Sequence, residues 1–190
     1  MKKILYLAAL MLAAALTFAS CVGKQETQQI ERRLEVNYTV KCSQDLIDAL
    51  DLVVTYKDKG GINSTDTVRD TLWTKTVVHD VIPAKVGFDW SVTPKSAAKH
   101  GKDTLNLVAD LSLSYNGASW RRPYMFTYLD FPTSRLETLC DLINLQRENM
   151  HALDKNNQYF DPCYIIRPCR QNEIGIDGLM TEIAHWNDDK

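Results

Sequence analysis

The 190-residue chain contains none of the compact motifs that announce a reaction. It has no nucleophile elbow, phosphate loop, His-Glu-x-x-His pair or calcium-binding loop. No Cys-x-x-Cys pair occurs, and His79, His100, His151 and His185 share no ligand spacing with the cysteines, so neither a metal nor a cofactor is expected. A basic stripe is also missing. With a formal net charge of −2 and both signs interspersed, nucleic acid is excluded as a favoured partner. Low-complexity blocks and internal repeats are lacking, which sets aside disordered tails and solenoids.

What the chain does have is a marked N-terminus. Met1-Lys2-Lys3 is positive, Ile4 to Phe18 is uncharged and apolar, and Ala19-Ser20 supplies small residues just before Cys21. A charged start, a short apolar core and a small-residue cleavage site make residues 1–20 an export signal. A spanning helix needs about 20 apolar residues with interfacial anchors. This stretch softens into Thr17, Ser20 and Gly23, and no Trp, Tyr or basic cluster closes its far side. Removing it leaves 170 residues, enough for one well-buried domain. Residues 21–34 are polar apart from Val22, Ile30 and Leu34 and read as a tether of at most roughly 40 Å.

From Glu35 the pattern acquires period two. Val36, Tyr38, Val40 and Cys42 alternate with polar neighbours, as a half-buried strand requires. Ser43 to Ala49 reads as a turn or one helical turn. Leu50, Leu52, Val54 and Tyr56 resume the alternation until Lys57-Asp58-Lys59-Gly60-Gly61 turns the chain. Thr67 to Val78 reads as one β-branched strand, with Trp73 beside Leu72 suggesting a bulge or cover on both faces. Val86, Phe88, Trp90 and Val92 form the next strand, and Leu105 to Tyr115 the longest. Asn116-Gly117 marks a hairpin, and the return over Ser119 to Leu129 contains Pro123, which implies an edge or a bulge.

Strands at this spacing joined by turns predict a mainly β chain, an antiparallel sandwich of six or seven strands over residues 35–130. Residues 131–190 then supply one amphipathic helix and an irregular tail packed on the same domain. Leu136, Leu139, Cys140, Ile143, Met150 and Leu153 share a helical face, and Ser134 with Glu137 fits a capping box. Pro162 to Cys169 reads as a constrained loop, and Leu179, Met180, Ile183 and Trp186 as a short final helix.

An export signal places Cys42, Cys140, Cys163 and Cys169 in an oxidising compartment, where four cysteines suggest up to two disulfides in one of three connectivities. The short Cys163–Cys169 loop, flanked by prolines, favours that pair and leaves Cys42–Cys140 as the second. Cys140 joined to a tail cysteine is the competing arrangement. Catalytic combinations are thin. Cys140 with His151 is a nucleophile–base pairing on paper, but Cys140 sits on the apolar helix face. Glu137, Asp130 and Asp141 as a glycosidase pair default to solvated charges. Trp120, Tyr124 and Tyr128 read as edge-strand packing beneath the helix rather than a sugar platform.

The TFASC run at 17–21, the YKDKGG run at 56–61 and the strand-and-proline layout through Pro94 resemble small lipoproteins of Bacteroidota-type bacteria. The resemblance implies acylation of Cys21 as the new N-terminus and an outer-membrane, lipid-anchored place in the cell envelope, with the facing side left open. It lends no reaction. Asp66-Thr67-Val68, Asp70-Thr71-Leu72 and Asp103-Thr104-Leu105 resemble the O-glycosylation signal of exported proteins from such bacteria, which makes Thr67, Thr71 and Thr104 candidate acceptors. The expected function is a non-enzymatic, lipid-anchored envelope module. Its partners are the membrane, through the N-terminal lipid, and an envelope protein or polysaccharide. The alternatives are a fimbrial-type subunit using strand complementation and an envelope hydrolase with a dispersed site.

Overall fold

In a computed structural model the protein is described over residues 29–95, 101–152, 163–184 and 186, the side chains of 118–123 and 152 excepted. The order is β1 (Ile30–Cys42), α1 (Gln44–Ala49), β2 (Leu50–Lys57), β3 (Asn63–Val68), β4 (Leu72–Ile82), β5 (Ala84–Pro94), β6 (Thr104–Tyr115), β7 (Ala118–Pro132), α2 (Leu136–Ala152), β8 (Cys163–Pro168) and β9 (Leu179–Ala184). Short 3₁₀ turns occupy Lys59–Gly61 and Thr133–Arg135. The strands form two antiparallel sheets, β4-β1-β6-β7 and β3-β2-β5-β8-β9. This is the expected antiparallel sandwich followed by a helix.

The alternating residues meet between the sheets. Tyr38, Tyr56, Phe88 and Trp73 form one aromatic cluster with centroids 5.3–6.0 Å apart. Trp90 stacks on Tyr124 at 4.2 Å and 15°. Each such side chain contributes roughly 1.5–3 kcal/mol by leaving water. The Tyr38 hydroxyl, fully buried, donates to the Lys57 carbonyl at 2.9 Å, so the ring enters the core without an orphaned polar atom. At Asn116-Gly117, with φ of 47° and 79°, the chain turns in two residues, pairing Tyr115 with Ala118. Around Pro123 the predicted edge and bulge both occur: β7 lies at the edge of its sheet, and its register shifts between Arg121 and Tyr124.

Several expectations are corrected. The first strand begins at Ile30 rather than at Glu35: Ile30 and Glu31 already pair with Ile82 and Val81 before a bulge ahead of Leu34. The stretch 67–78 is not one strand: β3 ends at Val68, and β4 starts at Leu72 in the opposite sheet. Trp73 needs no bulge, since Leu72 faces solvent and Trp73 faces the core. The capping box does not form, because Ser134 lies inside a 3₁₀ turn whose cap position is Pro132 and α2 begins only at Leu136. The tail is not irregular. Cys163–Pro168 is a strand on β5, and Leu179–Ala184, the expected helix, is the strand beside it. The second sheet therefore draws two of its five strands from beyond residue 131.

Helix α2 replaces a missing strand. β8 pairs with β5 only from Ala84 to Gly87, which leaves the upper edge of β5 open. Asn144 closes it. Its side-chain amide donates to Val92 O at 2.8 Å, and its oxygen accepts from Val92 N at 3.1 Å, copying a strand's pairing.

Candidate functional site

The registers bring one set of chain reversals together. Ile30 pairs with Ile82, Ala84 pairs with Ile166, and the β2–β3 turn lies against Lys85, where an added Cβ on Gly61 would sit 3.4 Å from Lys85 Cβ. This is the entry end, where the described fold begins. It holds a groove of about 490 Å³ lined by Gln29, Lys59, Gly60, Gly61 and the 79–85 corner. Gly60 and Gly61 take φ of 81° and 78°, a left-handed pair that side chains resist, and so keep the turn low beside the groove. Lys59 donates to Asp80 across it. Asp58 is engaged by Lys59 N at 2.7 Å and by the Ser64 hydroxyl at 3.2 Å.

His79 forms the floor of the groove. Only 4 % exposed, it has no hydrogen-bond partner at Nε2. Desolvation lowers its pKa below the ordinary histidine value, against the pull of Asp58 and Asp80, so it is held as a neutral imidazole. Lys59 and Asp80, paired with each other, line the groove with it and act on it electrostatically. The lining therefore offers polar and charged groups and one carboxylate, already occupied.

The loop joining β8 to β9 reaches the same end and is rigidly built. The Arg167 side chain, 5 % exposed, donates to both Glu173 oxygens at 2.6 and 2.9 Å and to Glu182 at 2.6 Å. Glu173 also accepts from Arg170 N at 2.7 Å, and the Arg167 hydrogen bonds hold its pKa down at about 2. Cys169 N to Gly178 O closes the loop at 2.9 Å. Gly175 is obligatory, since a Cβ there would meet Leu179 O at 2.0 Å. Arg32 ties the loop to β1 by donating to Asp177 O.

A second polar cluster lies on the outer face of β5. Arg147 Nε donates to both Asp89 oxygens at 3.0 and 3.1 Å, and His151 Nε2 lies 3.1 Å from Asp89 Oδ1. Burial opposes the Asp89 carboxylate, but His151 and Arg147 outweigh it and hold its pKa below the usual range. Trp186 packs 5.8 Å from His151 and over Lys57 Nζ at 4.8 Å, into space left by Gly87. Helix-to-sheet clamping accounts for these contacts. Asp89 was not singled out from sequence, because its partners lie 58 and 62 positions away.

The sequence candidates scatter. Cys21 lies outside the described residues. Thr67, Thr71 and Thr104 are all exposed, and pairing places them together at the end opposite the groove: Thr67 is beside Val68 opposite Leu52, Thr71 O accepts from Cys42 N, and Thr104 pairs with Pro132. The proposed disulfides are absent. Cys163 and Cys169 stand at opposite ends of extended β8, roughly 20 Å apart at a strand's rise, whereas a bridge needs about 7 Å. Cys42 rests against Asp70 O and Thr71 O, Cys140 lies on the buried face of α2, and burial pushes both thiols up to about 11, where they are poor nucleophiles. Cys140 and His151 are not brought together as a pair, since His151 faces Asp89 and Trp186. Tyr124 donates to Gln146 of α2 at 2.7 Å, the packing role expected of it, and the Trp120 side chain lies outside the described residues. Among the described residues no helix is long and apolar enough to cross a membrane, and no cluster of three metal-ligating side chains forms.

No protein-family model, curated protein or solved structure matches the chain.

Proposed function

We propose that this chain is a lipid-anchored module of the bacterial cell envelope that binds rather than catalyses. The entry-end groove is the observation that carries the reading. It combines a neutral, unpartnered imidazole with a lysine and a carboxylate that are already paired, which suits holding a ligand more than transferring protons within it. Cys21, eight positions before Gln29, supplies the anchor, and acyl chains contribute about 0.8 kcal/mol per buried methylene. A hydrolase reading would rest on Asp89 and His151, whose geometry is explained by clamping α2. Strand complementation draws no support from the upper edge of β5, because Asn144 occupies it.

The test is Cys21→Ser in the native host, read by the mass of the N-terminal peptide and by detergent partitioning. Wild type should carry an acylated Cys21, and the variant should stay unprocessed or leave the detergent phase. A variant that partitions like wild type would sink the anchor.

A further inference from the structure

The entry end carries more than the groove. Ile174 is 97 % exposed and Ile62 68 %, and Ile30, Ile176 and Val81 are exposed beside them. At the opposite end the exposed large apolar residues are Leu72 on β4 and Met125 and Leu129 on β7, and all three Asp-Thr tripeptides gather there. Ile174 is not a residue waiting to fold inward. Its loop is fixed by the Arg167–Glu173 pair, and the tight seat of Gly175 against Leu179 O keeps the tip in place.

We propose that the entry end is a bilayer-contacting surface: Ile174 and Ile62, flanked by Ile30, Ile176 and Val81, enter the headgroup–acyl boundary, with Lys59 and Arg32 at the phosphate level. The proposal rests on the lipid-anchor reading and names the partner of the same end. Chain length supports it. Cys21 to Gln29 spans at most about 28 Å when extended, so an acylated Cys21 keeps this end, and no other, close to the membrane. Composition supports it as well. The exposed apolar residues here are isoleucine and valine on two loops and two neighbouring strand ends, interleaved with charges, the mixed pattern of a surface that lies at a headgroup boundary. Glu31 and Asp80 offset the basic residues locally, so docking is apolar in origin and should respond weakly to salt.

The experiment uses the full acylated chain in phosphatidylcholine vesicles, with hydrogen exchange measured over 58–62, 79–85 and 170–178. Residues 67–72 at the other end serve as an internal reference. Wild type should exchange about fivefold more slowly at the three entry-end segments than the Ile62→Asp/Ile174→Asp double variant, with no difference at 67–72. Both substituted positions are exposed, so the variant keeps its fold, and Leu145→Asp on the outer face of α2 should behave as wild type. Equal exchange in wild type and double variant, with Cys21 acylated, overturns the docking and leaves the anchor standing. Protection in native envelopes but not in protein-free vesicles also overturns it, in favour of a protein partner. If mass spectrometry finds Cys21 unacylated, the anchor reading fails. Docking is then upheld by slowed exchange of that chain on vesicles and overturned by its absence.

Discussion

The two ends of the sandwich are built by opposite means. At the far end, side chains close the backbone. The Ser43 hydroxyl caps α1 by accepting from Leu46 N at 3.3 Å, accepts from Val108 N at 3.1 Å and donates to Asn106 O at 2.7 Å. Asp45 receives Asn106 N at 2.9 Å and Lys102 at 2.7 Å. At the entry end, by contrast, a buried imidazole nitrogen is left without a partner and isoleucines are held out in solvent. A folded chain normally satisfies buried polar atoms and hides large aliphatics. Leu72 and Leu129 are exposed at the far end as well, so what sets the entry end apart is a groove lined by an unpartnered imidazole nitrogen beside an isoleucine held out on a braced loop.

The sharpest way to break this contrast is Arg167→Ala. Removing the guanidinium leaves Glu173 and Glu182 with only the exposed Arg170, 3.9 Å from Glu182, as counter-charge and frees the loop that displays Ile174. Breaking a buried pair costs roughly 3–5 kcal/mol, and because Glu182 is 43 % exposed the expected loss is about 2–3 kcal/mol in urea denaturation. Exchange should quicken over 169–178 and stay unchanged at 104–110. A loss spread evenly over both ends would show that the loop is not a separate device.

Ser43→Ala tests the opposite end. Losing one cap and two further bonds should cost about 1–2 kcal/mol, with exchange rising at Leu46 and Val108 and no change in the groove. A change at His79 instead would mean that the ends are coupled through the core.

Legibility followed range rather than end. Ser43 to Ala49 as a helical turn, the alternation of β1, β2, β5 and β6, and the Asn116-Gly117 hairpin beside Glu35 at the entry end are all written in neighbouring residues, whereas the break between β3 and β4 at the far end was missed. β8 and β9 were not legible. Tyr164, Ile165 and Ile166 form an unbroken apolar run between prolines, and Leu179, Met180 and Ile183 mimic a helical stripe. Only pairing with β5 decides their conformation. The groove was hidden for the same reason. Gly60-Gly61 announces a turn, but its meeting with His79 and Asp80 depends on a sandwich register that no local pattern encodes. The disulfide expectation failed because spacing in sequence was taken for spacing in space.

Acid should loosen the entry end first. Glu173 has a folded pKa of about 2, below its ordinary value near 4.5, so its contribution is complete above pH 4.5 and disappears as pH falls toward 2. His79, also lowered, adds a loss that begins as pH drops through about 6.5, because the unfolded chain takes up the proton first. The groups facing His79 are Asp58, Asp80 and Lys59, and those facing Glu173 are Arg167 and Arg170. After correction for intrinsic rates, exchange at 58–62 and 79–85 should rise between pH 7 and pH 5, and at 169–178 only below pH 4.5. Residues 43–47 should not respond in the first interval. A uniform response would remove His79 as the cause.

The smallest expected effect divides the ends most cleanly. Ile174→Ser and Leu72→Ser each remove one exposed aliphatic side chain, one from each end. Neither side chain is packed, so unfolding free energy should move by less than about 0.5 kcal/mol in both. If exposure of Ile174 were incidental, the two variants would also be indistinguishable on vesicles. If it is a working contact, Ile174→Ser alone should weaken protection of 170–178 on the bilayer while its urea midpoint matches that of wild type. A stability loss above that limit in Ile174→Ser would mean that the side chain is packed in solution, and the asymmetry between the two ends would then be one of packing rather than of contact with the membrane.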